Sequence, residues 1–315
     1  MRVPWPVTLL HYYIQVRLQK QRRPILGGFK ITHRCNLRCI HCPFWKRRTQ
    51  RELEFNAVRD IMHQLHRMGV RILILEGGEP FLWCDGPYTI YDVVEEARRL
   101  FMSVGLTTNG TLPLDVPAST IWVSMDGLEA THDAIRGPTF HRVLENIRRS
   151  NHTNIYANIT INQLNVHEIP DLIHFLSPLV RGCTIQFHYP YTDDGLCVGA
   201  DERRWVLDRI MDLKRRGAAV ADSFRALRSL RDGGWRCHDW MLANVDPNGQ
   251  VNTGCYVRHR GPIACRTCGF AAHVEISQAF ELHLPSILVG ARIFHYNKTA
   301  LYTGVNTKQI QNSNI

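Results

Sequence analysis

The first 51 residues of this 315-residue chain contain no aspartate or glutamate, although twelve of its 38 lysines and arginines fall there. Elsewhere 26 basic residues face 28 acidic ones, so the formal net charge of +10 belongs to one end and not to the surface at large. Such a block suits an anionic neighbour (a membrane surface, a nucleic acid or a phosphorylated substrate) or a solvated face. Long apolar runs are missing too. No stretch holds about 18 uninterrupted apolar residues, which argues against a spanning helix. The start, MRVPWPVTLLHYYIQVRLQK, lacks the basic region, apolar centre and small-residue cleavage site of a signal peptide. The expectation is therefore a cytoplasmic protein. No internal repeat and no recognisable RNA-binding module is present, so no clear nucleic-acid partner is expected. At 44% hydrophobic and 21% charged residues, the composition excludes a disordered chain.

What is present alternates. Short apolar runs read as strands at GGFKITH (Gly27 to His33), VRILILE (Val70 to Glu76), MSVGLTT (Met102 to Thr108), TIWVSM (Thr120 to Met125), NIYANITI (Asn154 to Ile161) and CTIQFHY (Cys183 to Tyr189). Helical spacing separates them: Val58, Ile61, Met62, Leu65 and Met68 before Gly69, then a helix opened by Pro87, then helices near Phe140 to Arg149, Pro170 to Leu176 and Glu202 to Arg215. The connection NGTLPLDVPAST shows no helical period. Six strands with helical crossovers argue for an α/β fold with a parallel sheet, as a partial barrel or an open doubly wound sheet. From Ser223 to Ala272 the periodicity fades, suggesting a small appended domain not built on an apolar core. His273 to Phe294 reads as one or two short helices broken at Pro285, and the last twenty residues as a polar, frayed tail.

Three of the ten cysteines, Cys35, Cys39 and Cys42, lie in one Arg-rich loop after the first strand. Structural zinc prefers four ligands and an iron–sulfur cubane normally takes four cysteines, so three thiolates imply an open metal position. His41 is a fourth candidate, but adjacency to Cys42 cramps simultaneous ligation. A second constellation, Cys237, Cys255, Cys265 and Cys268, offers four soft ligands for zinc or [4Fe–4S]. Cys84, Cys183 and Cys197 read as small buried hydrophobes.

The loop CNLRCIHC resembles the CxxxCxxC loop of the radical S-adenosylmethionine (SAM) superfamily. EGGEP (Glu76 to Pro80) and VSMDG (Val123 to Gly127) match that family's motifs at the ends of the second and fourth strands. THDAIRG (Thr131 to Gly137) is similar to its peptide-modifying branch. The resemblance covers roughly residues 27–191. It implies a partial (β/α)6 barrel with a small Cys-rich C-terminal domain, and a division into 1–26 (basic amphipathic segment), 27–220 (barrel), 221–272 (auxiliary-cluster domain) and 273–315 (helical segment and tail). It implies that Cys35, Cys39 and Cys42 hold a [4Fe–4S] cluster whose fourth iron binds S-adenosyl-L-methionine, and that reductive cleavage yields a 5′-deoxyadenosyl radical. Cofactor contacts are implied for Gly77, Gly78, Glu79, Ser124, Asp126 and Arg136: the glycines by close backbone approach to the ligand, Glu79 and the backbone around it at the SAM ammonium, Ser124 and Asp126 near the ribose, and Arg136 at the carboxylate. His41, Phe44 and Trp45 would pack beside the cluster or adenine, with core packing as the alternative. CHDWMLANVDPNGQVNTGC is similar to the opening of a SPASM or Twitch extension, with DPNG as a hairpin turn, and implies that the second cysteine set holds an auxiliary [4Fe–4S] cluster. No catalytic residue stands out. A low-potential electron donor of the ferredoxin or flavodoxin kind is implied as a partner.

The N-terminal segment places Val7, Leu10, Ile14 and Leu18 on one helical face, followed by Lys20, Arg22 and Arg23, with Tyr12, Tyr13 and Trp5 suited to a headgroup region. This suggests a peripheral membrane surface, on the inner face, and a lipid or isoprenoid-like substrate. The alternatives are a peptide- or cofactor-maturing enzyme, an RNA-modifying enzyme, and a non-catalytic zinc or electron-transfer protein.

Overall fold

The computed structural model describes residues 5–47, 52–191 and 194–294. The polar tail, residues 1–4, Arg48, Arg51 and the side chain of Trp5 lie outside the described part. After helix α1 (Trp5–Arg17), the chain alternates β1 (Leu26–Thr32), α2 (Phe55–Met68), β2 (Ile72–Gly77), a hairpin of β3 (Cys84–Asp85) and β4 (Tyr88–Thr89), α3 (Ile90–Leu100), β5 (Ser103–Thr108), β6 (Thr120–Ser124), α4 (Glu129–Arg136), α5 (Phe140–Arg149), β7 (Ile155–Ile161), α6 (Ile169–Leu176) and β8 (Gly182–Phe187). Then come α7 (Ala200–Arg215), α8 (Phe224–Asp232), β9 (Leu242–Val245), β10 (Val251–Thr253), α9 (Ala271–Phe280) and α10 (Leu284–Phe294). The sheet order is β10-β9-β1-β2-β5-β6-β7-β8. All neighbours pair in parallel except β10 with β9. The six strands of the sequence reading thus stand side by side in chain order, and the sheet stays open: a partial barrel.

Alternating strand residues divide the interior. Phe29, Ile31, Leu73, Leu75, Val104 and Leu106 enter the main core beneath the helices. The other face carries Lys30, paired with Glu76 in register and at 3.4 Å. Helix α2 buries Val58, Ile61, Met62 and Leu65 and stops at Gly69, whose φ of +119° suits only glycine. Helix α3 begins at Ile90, not at Pro87: Pro87 lies in the β3–β4 hairpin, and Thr89 with Asp92 forms the capping box. The connection without helical period, residues 109–119, indeed carries no helix.

Two features depart from the sequence reading. Where periodicity was expected to fade, α8 buries Ala226, Leu227 and Leu230, and the Ser223 hydroxyl caps it by accepting from Ala226 N. Next, β9 pairs with β1, from Leu26↔Leu242 to Phe29↔Val245, and sends Ala243 and Val245 into the main core. The C-terminal segment therefore continues the barrel sheet. Pro285 sits in the first turn of α10, and the break falls before it, at Glu281 to His283. Helix α10 closes the bottom of the barrel. Ile293 joins Trp122 and Tyr156 in a second apolar cluster, while Ser103 Oγ donates to Phe294 O and Asn154 Nδ2 to Ile293 O. Each such buried side chain contributes about 1.5–3 kcal/mol. Gly105 is obligatory there, because a Cβ would stand 2.4 Å from the Trp122 ring.

Candidate active site

The cysteine loop leaves β1 at the C-terminal edge of the sheet, where parallel sheets bind ligands. Backbone bonds pin it: Gly78 N donates to Thr32 O and Glu79 N to Arg34 O, both at 2.7 Å, and Ile40 N donates to Ile135 O of α4. Asn36 bridges to Thr111 and Asn109 on the far side, and Trp45 Nε1 donates to Cys39 O. The glycine pair serves this docking. A Cβ on Gly78 would lie 2.2 Å from Arg34 O, and one on Gly77 2.7 Å from Thr32 O. The close approach that these glycines permit includes that of the cysteine loop itself.

The three thiols converge. Burial pushes Cys39 up to about 11, with Cys42, Asp126 and Cys35 adding repulsion and Arg136 opposing it. Cys35 is raised by burial first, then by Glu79 and Cys42. Donors surround the sulfurs: Leu37 N at 3.4 Å and Asn109 Nδ2 at 4.0 Å from Cys35 Sγ, and Arg136 Nη1 at 3.8 Å from Cys39 Sγ. Buried Cys39 and half-buried Cys35, which resist ionisation alone and are approached by N–H donors, fit an iron–sulfur group whose metal supplies the missing positive charge. Among the described residues no three His, Cys, Asp or Glu side chains are grouped to hold a metal ion. A cubane, whose cysteines bind separate irons, does not ask for such a point of convergence.

The remaining expected cofactor contacts are placed as follows. Glu79 is fully buried; its carboxylate accepts from Thr108 Oγ1 (2.8 Å), Asn109 N (2.7 Å) and Phe81 N (3.3 Å), and burial pushes it up to about 7. Its side chain ties the end of β2 to that of β5, leaving backbone to meet a ligand. Ser124 ends β6, opposite Asn158. Asp126 is buried and accepts from Arg136 Nε (2.6 Å) and Thr160 N (2.7 Å). Burial opposes its ionisation, but Arg136, His41 and the Thr160 N–H together hold it below the usual carboxylate range. Arg136, expected at a SAM carboxylate, pairs with Asp126 and reaches Cys39. His41 turns its Nε2 to Asp126 at 3.8 Å and is pushed down to about 4 by burial.

The second cysteine set also comes together. Burial, then repulsion from Cys268, Asp239, Cys255 and Cys265, pushes Cys237 up to about 12. Cys255 follows β10, beyond a tight turn at DPNG in which Gly249 N donates to Asp246 O and Gly249 has φ +82°. Arg203 of α7 clasps the Cys265–Cys268 turn by donating to Thr267 O and Cys268 O. Of the other cysteines only Cys183 is buried; Cys84, in the β3–β4 hairpin, and Cys197, ahead of α7, are exposed.

Sequence reasoning missed the residues between the two sets. The Lys30 ammonium lies 4.1 Å from the Phe44 ring and 5.1 Å from the Tyr256 ring, and Tyr256 OH donates to Glu76 Oε2 at 3.4 Å. Tyr191 meets Phe44 edge-on at 5.5 Å, and Tyr189 and Phe270 stack at 5.8 Å beside Cys268. A lysine within the strand LGGFKIT was the available signal.

Residues 29–176 match the radical SAM superfamily. The chain is 27% identical over 222 residues to Fe-coproporphyrin III synthase of Methanosarcina barkeri, covering 64% of this chain and 54% of that one. It is 27% identical over 276 residues to mycofactocin maturase MftC of Mycolicibacterium smegmatis, covering 79% and 65%. The chain thus spans between half and two thirds of these relatives' length. In fold it is similar to Streptococcus suis SuiB bound to S-adenosylmethionine, with TM-score 0.61 and 16% identity over 93% of this chain and 74% of that one.

Proposed function

We propose, on the premise that residues 29–176 belong to the radical SAM superfamily, that this protein is an enzyme that cleaves SAM reductively to modify a peptide or a cofactor precursor. The observation that carries the reading is the convergence of Cys35, Cys39 and Cys42 in a loop docked on the C-terminal edge of the sheet. With its cluster bound, the site would pass one electron to SAM and release methionine and a 5′-deoxyadenosyl radical, which abstracts hydrogen from the substrate. The chain's own residues do the rest. Glu79 and the glycine pair fix the loop against β2 and β5, Asp126 and Arg136 brace Cys39, and the barrel bottom sealed by α10 excludes water.

The relatives' names, an Fe-coproporphyrin III synthase and a mycofactocin maturase, and a SuiB structure bound to its precursor peptide favour such substrates over the lipid or isoprenoid that the basic N-terminus suggested. Cys237, Cys255, Cys265 and Cys268 would hold a second [4Fe–4S] cluster, and a ferredoxin or flavodoxin-like protein would supply electrons. The test is anaerobic reconstitution followed by dithionite and SAM. The reading expects 5′-deoxyadenosine from the native chain and none from Cys39→Ala; nucleoside release that survives this change would overturn it.

A further inference from the structure

The outer face of the N-terminal helix is open. Val7, Leu10, Ile14 and Leu18, the row set apart in the sequence, are between 37% and 74% exposed. The opposite face holds the helix to the body: Tyr12 and Val16 are buried with Ile25, Met241 and Phe280, and Tyr12 OH donates to Arg23 O. Tyr13 packs 6.2 Å from Phe280 and so also faces inward. The apolar row is therefore not the face that docks α1 on the body.

A second exposed group lies next to it. Leu282, Leu284, Ile287 and Leu288, at the turn into α10, are between 37% and 62% exposed. The two segments approach where the Arg17 guanidinium, beside Leu18, lies 4.5 Å over the ring of Phe280, the last residue of α9 and two residues before Leu282. Together they supply eight of the twelve large hydrophobic side chains exposed among the described residues. Scattered exposed leucines need no explanation; a concentration on two adjoining segments does.

The charges that flank the α1 row have one sign. Arg17, Lys20 and Arg22 are exposed next to the α1 row, and no acid occurs before Glu52. The nearest carboxylate, Glu281, is engaged with His238 at 3.0 Å and His283 at 3.6 Å. A second copy of the chain would set these cations against their own kind across a two-fold interface. No described helix is long and apolar enough to cross a membrane. We infer that the α1 and α9–α10 patch lies on the surface of an anionic lipid bilayer, with the leucine row in the acyl boundary and Arg17, Lys20 and Arg22 at the headgroups. The inference concerns where the enzyme sits, not what it modifies, and stands apart from the radical chemistry.

The test is co-sedimentation of the full, iron-loaded chain with vesicles. Vesicles of equal parts phosphatidylglycerol and phosphatidylcholine should retain the protein, pure phosphatidylcholine should retain it at least about tenfold less well, and added salt should release it. The double change Leu10→Glu with Ile14→Glu should weaken retention by about tenfold or more, while leaving the melting temperature and iron content unchanged because both side chains point outward. Three results would overturn the inference: no retention on anionic vesicles, equal retention of the double variant, or a solution dimer that the same double change separates, which would assign the patch to a second copy.

Discussion

Lys30 joins the two cysteine sites through a single buried charge. Its ammonium sits between Phe44 of the first loop and Tyr256 beside Cys255, with Glu76 as its counter-ion. Removing one partner of a buried pair leaves the other uncompensated, so Lys30→Met should destabilise the fold by about 3 kcal/mol or more. The double change with Glu76→Gln should recover part of that, a coupling that denaturant unfolding would measure. Two other buried carboxylates, Asp222 and Glu79, contribute to pH dependence in the same direction. Burial, then Glu275, pushes Asp222 up from 3.8 to about 7. The fold prefers its neutral form, so stability is full below the unfolded value of 3.8 and falls as pH rises towards 7. Across that window the melting temperature of Asp222→Asn, whose amide oxygen still accepts from Ile185 N, should decline less steeply than that of the native chain, with Glu79 supplying the slope that remains. The Cys35–Cys39–Cys42 set was legible because its ligands are neighbours in sequence. Lys30, Glu76 and Tyr256 were not, because three separate segments bring them together.

The elements themselves were largely readable, because buried parallel strands are nearly continuous apolar runs and their helices keep a 3.6-residue stripe. All six barrel strands fall within a residue or two of their expected limits. The misses have local causes. Gly86 and Pro87 make a hairpin turn that delays α3 to its Thr89 cap, and α8 is a short helix whose apolar positions are diluted by three arginines and an aspartate. Replacing Leu227, wholly buried on α8, with alanine should cost about 2–5 kcal/mol in denaturant unfolding. Gly78→Ala should act on the loop more than on the barrel. Its Cβ would press on Arg34 O, so iron incorporation should fall sharply while far-ultraviolet circular dichroism stays native.

For the molecule as a whole, the pairing of β9 with β1 makes the C-terminal cysteine set a continuation of the barrel. A four-residue strand carries too little pattern to announce that partnership, so the sequence could suggest an appendage but not its attachment. The two sites should nonetheless load independently: Cys268→Ala should lower iron from about eight to about four per chain, with SAM cleavage retained. The most direct measurement of the central claim is electron paramagnetic resonance of the reduced, reconstituted protein with and without SAM, using Cys268→Ala to isolate the first site. A cluster with one iron open to SAM predicts a [4Fe–4S] signal that changes shape when SAM is added. Zinc at Cys35, Cys39 and Cys42, or a signal indifferent to SAM, would contradict it.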